Sequence, residues 1–131
     1  MQNLFRAIDP RQLTANIFKL IGDDWLLITA GTPEKFNMMT AGWGGFGILW
    51  EKPVCFCFVR PQRYTYGLME ENSIFTLTAF PEKYRDVLNF CGTRSGREVD
   101  KAAKTGLTPV TGKAGGVYFQ EADLVMECRK I

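Results

Sequence analysis

Two arginines stand where a helix prefers acids. In Arg60-Pro61-Gln62-Arg63-Tyr64-Thr65, the proline marks a first helical turn. A helix N-terminus carries unpaired N–H groups and a partial positive charge. Two guanidiniums at that end are unfavourable unless an anion joins them. Backbone N–H groups, Arg60, Arg63 and the Thr65 hydroxyl together suit a phosphate. The alternative is a pair of solvated arginines at a surface corner. Thr93-Arg94-Ser95-Gly96-Arg97, with Lys101 further along, repeats the theme. Its plainer explanation is a surface helix from about Gly96 to Lys104, capped by Ser95 and Glu98 at the spacing of a capping box. Two basic helix starts in one short chain admit one shared anion site or two separate ones. A third segment, Asn37-Met38-Met39-Thr40-Ala41, runs into Gly42-Trp43-Gly44-Gly45-Phe46-Gly47. It is either an edge on which a flat heterocycle lies, met by backbone N–H groups, or a core strand entering a tight corner.

What is missing narrows the chemistry further. The 131 residues include no histidine. That excludes Ser-His-Asp and Cys-His nucleophile systems and an imidazole general base. The four cysteines, Cys55, Cys57, Cys91 and Cys128, form no Cys-x-x-Cys pair, so no metal site is expected. Cys55 and Cys57 share one face of a strand and read as small core residues rather than a reactive pair. Enzymatic chemistry is therefore expected to come from a cofactor. The net charge of +2 gives no case for nucleic acid. No apolar stretch of about 18 residues is present to span a membrane. The first ten residues lack the apolar core of a secretory signal, so a cytoplasmic location is expected.

The elements that position these residues follow from pattern. The length suits a single domain over residues 1–131. Asp9-Pro10 opens a helix over residues 10–21, with Leu13, Ile17 and Leu20 on one face. Residues 25–30 and 35–41 form a strand hairpin around Gly31-Thr32-Pro33-Glu34. Residues 42–47 form a loop and 48–50 a short strand. The apolar run 53–59 predicts a central strand buried on both faces. A helix is expected over residues 62–71, a strand over 73–80 and a short helix over 81–90. Residues 106–116 read as a long loop. Residues 117–119 and 122–131 return to strand, with Leu124, Met126 and Cys128 on one face. Short helices between strands, without a regular βαβ alternation, predict a mostly β, mostly antiparallel architecture.

Three motifs, NMMTAGWGGFGILWEKPV, FVRPQRYTY and CGTRSGREVDK, occur in this order and spacing. In series they are similar to the flavoredoxin-like branch of the flavin reductase domain family, and the likeness extends over nearly the whole chain. The resemblance implies a split β-barrel that binds FMN, as a homodimer with the flavin near the subunit interface. It implies that Asn37, Met39, Thr40, Ala41, Gly42 and Trp43 line the isoalloxazine ring. Arg60, Arg63, Tyr64 and Thr65 would hold the phosphate end. Phe80 follows the strand whose end faces the flavin, and Ser95 and Lys101 lie on the segment covering the site. The implied role is passage of hydride or electrons through flavin, from NAD(P)H or to a redox protein. The alternative is a non-catalytic domain for flavin storage or sensing. There is no Gly-x-Gly-x-x-Gly fingerprint, but split-barrel reductases can stack nicotinamide directly on flavin. Members of the family continue past the strand matched by residues 122–131, with a further barrel strand and a late histidine-containing segment. The expectation is a shortened product or a barrel completed in another way.

Overall fold

The computed structural model describes residues 5–131; residues 1–4, part of the stretch read for a secretory signal, lie outside them. Apolar and β-branched residues lead the fold. β1 (Leu26–Thr32) and β2 (Lys35–Ala41) pair antiparallel from Leu26↔Ala41 to Thr32↔Lys35. Gly31 makes the tight return possible. Its φ is 116°, and a Cβ there would lie 2.2 Å from the Lys35 carbonyl oxygen. β3 (Gly45–Leu49) and β4 (Lys52–Phe56) form a second hairpin, and both turn residues, Trp50 and Glu51, have positive φ. α1 (Tyr64–Glu71), β5 (Ile74–Ala79), α2 (Arg85–Thr93) and α3 (Lys101–Thr105) follow. β6 (Pro109–Thr111), β7 (Val117–Phe119) and β8 (Leu124–Arg129) complete the order.

The main sheet has four antiparallel strands in the order β2-β1-β5-β8, with β3-β4 and β6-β7 as separate two-stranded ladders. The mostly β reading with short helices holds. Successive side chains of a strand point to opposite faces, so the sheet separates two cores. Ile28, Met39, Leu77 and Leu68 of α1 pack on one face, joined by Cys55, Cys57, Met126 and Cys128. Leu27, Met38, Phe80, Leu88, Cys91 and Phe119 pack on the other. The central strands also bury hydroxyls. Thr76 donates to the Val117 carbonyl at 2.6 Å, whereas Thr29 Oγ1 is buried with no hydrogen-bond partner among the described residues.

Several expected elements are corrected. The helix over 10–21 is a 3-10 turn, Pro10–Gln12, followed by a π-helical segment, Lys19–Asp24. The Asp9 cap forms as expected and pairs reciprocally with Gln12. The Asn16 side chain then accepts from the Lys19 amide at 3.2 Å and starts a separate turn, so no continuous helix forms. The run 53–59 is not a central strand. Cys55, Cys57 and Val59 face the core, while Phe56 and Phe58 are exposed and contact one another at 6.4 Å. The glycine loop is shorter than expected, because β3 begins at Gly45. The helix expected from Gly96 starts at Lys101. Ser95 closes only a turn, accepting from the Arg97 amide, and Asp100 caps α3 by accepting from the Ala103 amide at 3.1 Å. The loop 106–116 contains β6.

Candidate functional site

The helix expected from residue 62 begins two residues later, at Tyr64, and Pro61 lies in the turn before it rather than in its first turn. The Arg63 amide donates to the Arg60 carbonyl at 3.0 Å, forming the turn that precedes the helix. Arg63 is the N-cap residue, no side chain caps the helix, and no acid lies in its first turn. The Tyr66 amide donates to the Arg63 carbonyl at 3.0 Å, which leaves the Tyr64 and Thr65 N–H groups to meet an anion or water.

β2, the end of α2 with the segment after it, and α3 meet α1 there around a cleft of about 320 Å³. β2 contributes Asn37 and Met39, and Asn37 Nδ2 donates to Thr65 Oγ1 at 2.9 Å, both side chains being buried. The end of α2 and the segment after it contribute Thr93, Arg94, Ser95 and Gly96. Gly96 approaches so closely that a Cβ there would lie 2.4 Å from Asn37 Oδ1 and 2.5 Å from the Tyr64 ring. Arg63 Nη1 donates to the Gly92 carbonyl at 3.3 Å, and Arg97 Nη1 donates to the Gln62 carbonyl at 3.0 Å. These bonds tie the start of α1 to the end of α2.

Lys101 completes the lining from α3. Only 3% exposed, it donates from Nζ to the carbonyls of Met38 and Cys91, each at 2.8 Å. Burial pushes its pKa down to about 8; the neighbouring Cys91 opposes that and Arg63 adds to it. Arg60, Arg63, Arg94 and Lys101 thus line one cleft with no carboxylate among the lining side chains. None of the four is in a salt bridge among the described residues. Such a concentration of cations around open helix N–H groups is matched chemically by a phosphate.

Eight of the residues singled out from sequence meet in this cleft: Asn37, Met39, Arg60, Arg63, Tyr64, Thr65, Ser95 and Lys101. The two basic segments are parts of one site. The rest lie elsewhere. Ala41 and Trp43 line a small adjoining hollow with Phe46 and Cys57. Gly42 packs close to the Trp25 indole, and the Arg60 guanidinium lies 5.6 Å from the Trp43 ring centroid. Thr40 donates to the Leu88 carbonyl, on the α2 side of the sheet. Phe80 is buried in that same far core, 5.8 Å from the Tyr84 ring. Strand alternation turns Thr40 away from the cleft, and Phe80 follows the end of β5 into that core. Sequence reasoning missed Gln62, Thr93, Arg94 and Gly96 as lining residues. All four fall inside the two segments it had marked; residue type alone did not say that Arg94 lines the cleft while Arg97 engages the Gln62 carbonyl and the Tyr64 ring.

Comparison with known proteins bears on the family and the fold. The sequence model of the family described as flavin reductase like domain matches residues 21–131. The solved structure of a flavoredoxin of Desulfovibrio vulgaris (Miyazaki F) superposes with a TM-score of 0.76 at 25% identity, over 98% of this chain and 67% of that one. An FMN-binding protein from Thermus thermophilus gives 0.74 at 21%, over 97% and 69%. A flavoredoxin from Methanosarcina acetivorans gives 0.72 at 22%, over 95% and 63%. The chain thus spans about two thirds of the length of these structures. Among curated proteins no sequence match reaches significance.

Proposed function

The chain belongs to the flavin reductase like domain family, and from that premise we propose that it is an FMN-dependent oxidoreductase whose phosphate anchor is the cleft at the start of α1. The observation that carries this reading is the donor set: Arg60, Arg63, Arg94 and Lys101 around an uncapped helix start, with no acid among them. It fits a dianionic phosphate ester better than a neutral or cationic ligand. Arg60, Arg63 and Lys101 would hold the phosphate, with Thr65 kept in place by Asn37. Tyr64 and Ser95 wall the ribityl end. The edge from Met39 to Trp43 would carry the ring. Bound FMN supplies the redox chemistry, accepting hydride or electrons and passing them on. The chain's own residues anchor the phosphate, orient the ring and shield one of its faces. NAD(P)H or a redox protein is the electron partner, in the cytoplasm.

Residues 1–131 act as one FMN-binding domain in this proposal. Its barrel is the split barrel of the family, with the β3-β4 and β6-β7 hairpins closing around the four-stranded sheet. A homodimer is supported by a separate observation. Trp43, Ile48, Trp50, Phe56 and Phe58 are all more than half exposed on or beside the β3-β4 hairpin, an apolar surface of the kind that marks an interface. The proposal is tested by titrating the purified protein with FMN and mixing the complex anaerobically with NADH or NADPH. Saturable binding followed by bleaching of the flavin band supports an oxidoreductase. Binding without bleaching by either nucleotide or by a reduced redox protein would leave a storage or sensing role, and absence of binding would refute the site.

A further inference from the structure

Cys55 on β4 and Cys128 on β8 lie 73 positions apart in sequence, on strands that share no hydrogen-bonded ladder. Their sulfurs are nevertheless 3.4 Å apart. The Cys128 thiol has two acceptors in reach, the Cys55 sulfur and, at 3.6 Å, the Met126 carbonyl. Neither cysteine is fully buried. Their strands are the open parts of the architecture. β4 belongs to the separate hairpin, and β8 is the outer strand of the main sheet.

The other two thiols differ. Cys91 is fully buried beneath the Lys101 ammonium, and Cys57 lies two residues along from Cys55 on the same face. Burial pushes each of them up to about 11, so they remain protonated. The hydrogen bond with Cys128 acts the other way on Cys55, lowering its pKa, while the same bond raises that of Cys128. A thiolate on Cys55 is thus eased by the Cys128 thiol lying 3.4 Å away.

We propose that Cys55 and Cys128 are a redox-active pair that closes to a disulfide when the chain meets hydrogen peroxide, cross-linking β4 to the outer strand of the sheet. The Cys55 thiolate attacks one peroxide oxygen. The O–O bond breaks, and hydroxide leaves and is protonated to water, giving a sulfenic acid. The Cys128 sulfur then attacks the Cys55 sulfur. An S–S bond forms, the S–O bond breaks, and the Cys128 proton joins the departing hydroxide as a second water. Two thiols are oxidised and one peroxide is reduced to two waters. The sulfurs need to approach by only about 1.4 Å to reach disulfide length. Because residues 57–59 connect β4 to Arg60, the cross-link also anchors the segment that delivers Arg60 to the cleft.

The test uses this chain without flavin. The reduced protein is treated with hydrogen peroxide, and its thiols, intact mass and linked peptides are measured before and after dithiothreitol. The expected product has lost two of its four thiols and two hydrogen atoms. It contains a Cys55–Cys128 peptide pair, shows a raised Tm and reverts on reduction. Cys57→Ser and Cys91→Ser should keep this product. Cys128→Ser should instead leave a sulfenic acid on Cys55 that dimedone traps. A linkage through Cys57 or Cys91, oxygen addition without a cross-link, or four unchanged thiols in the unsubstituted protein would each overturn the proposal.

Discussion

Lys101 is the residue whose chemistry changes most between sequence and structure. In the sequence it is one cation among 16; in the fold it is a buried ammonium held by two carbonyls at the back of a basic cleft. Its pKa is lowered from 10.5 to about 8, chiefly by burial. The folded chain therefore releases this proton before the unfolded chain does. Below about pH 8 the buried charge weakens folding, and that penalty disappears as pH rises from about 8 towards 10.5. Phosphate binding needs the charged form and follows the opposite course. FMN affinity should fall as pH rises through 8 while the stability of the flavin-free protein increases. Affinity and Tm measured across this range check the crossing, and Lys101→Met should flatten both curves. The same residue illustrates what sequence withholds. Arg60 and Arg63 were legible because they break a local rule about helix ends. Arg94 stood out in the second basic segment and Lys101 through the family resemblance, but only the packing of α2 and α3 on β2 shows that both line one cleft with Arg60 and Arg63.

At the scale of elements, what was legible was what local pattern decides. The β1-β2 hairpin, β5 and β8 follow from alternation and turn chemistry; α1 was legible too, although Pro61 lies in the turn before it and not in its first turn. What failed was decided by competition or by distant partners. The Asp100 cap displaced the one read at Ser95. Asn16 interrupted the first helix. β4 is apolar on both faces, but only one of them is covered, so the run was misread as central. The centre of the sheet also yields a stability prediction. Thr29 of β1 is fully buried with its hydroxyl unpartnered among the described residues. Such a group costs about 1–3 kcal/mol relative to a satisfied or apolar one. Thr29→Val keeps the shape and the β-branched preference for strand. It should stabilise the fold by about 1 kcal/mol in urea unfolding, and an equal loss would show that the hydroxyl has a partner.

At the scale of the molecule, the sheet separates two cores, and the site lies where α1, α2 and α3 converge on β2. Neither the order β2-β1-β5-β8 nor the isolation of the β3-β4 hairpin can be read from periodicity, because strand neighbours are chosen by long-range packing. The exposed apolar residues on and beside that hairpin carry the association proposed above. Trp50 is 75% exposed and Phe58 61%. Replacing both with Glu should leave the monomer folded and shift the protein from dimer to monomer in sedimentation velocity. A monomeric unsubstituted chain would refute the dimer, and a variant that still dimerises would place the interface elsewhere.

The central claim is that the basic cleft at the start of α1 binds the phosphate of FMN. Titration of the Arg60→Ala/Arg63→Ala variant with FMN and with riboflavin, which lacks the phosphate, tests it most directly. Each charge-assisted contact is worth about 1.5–3 kcal/mol, so FMN affinity should fall by at least about tenfold. Riboflavin affinity should change little. Equal losses for both flavins, or unchanged FMN affinity, would contradict the assignment.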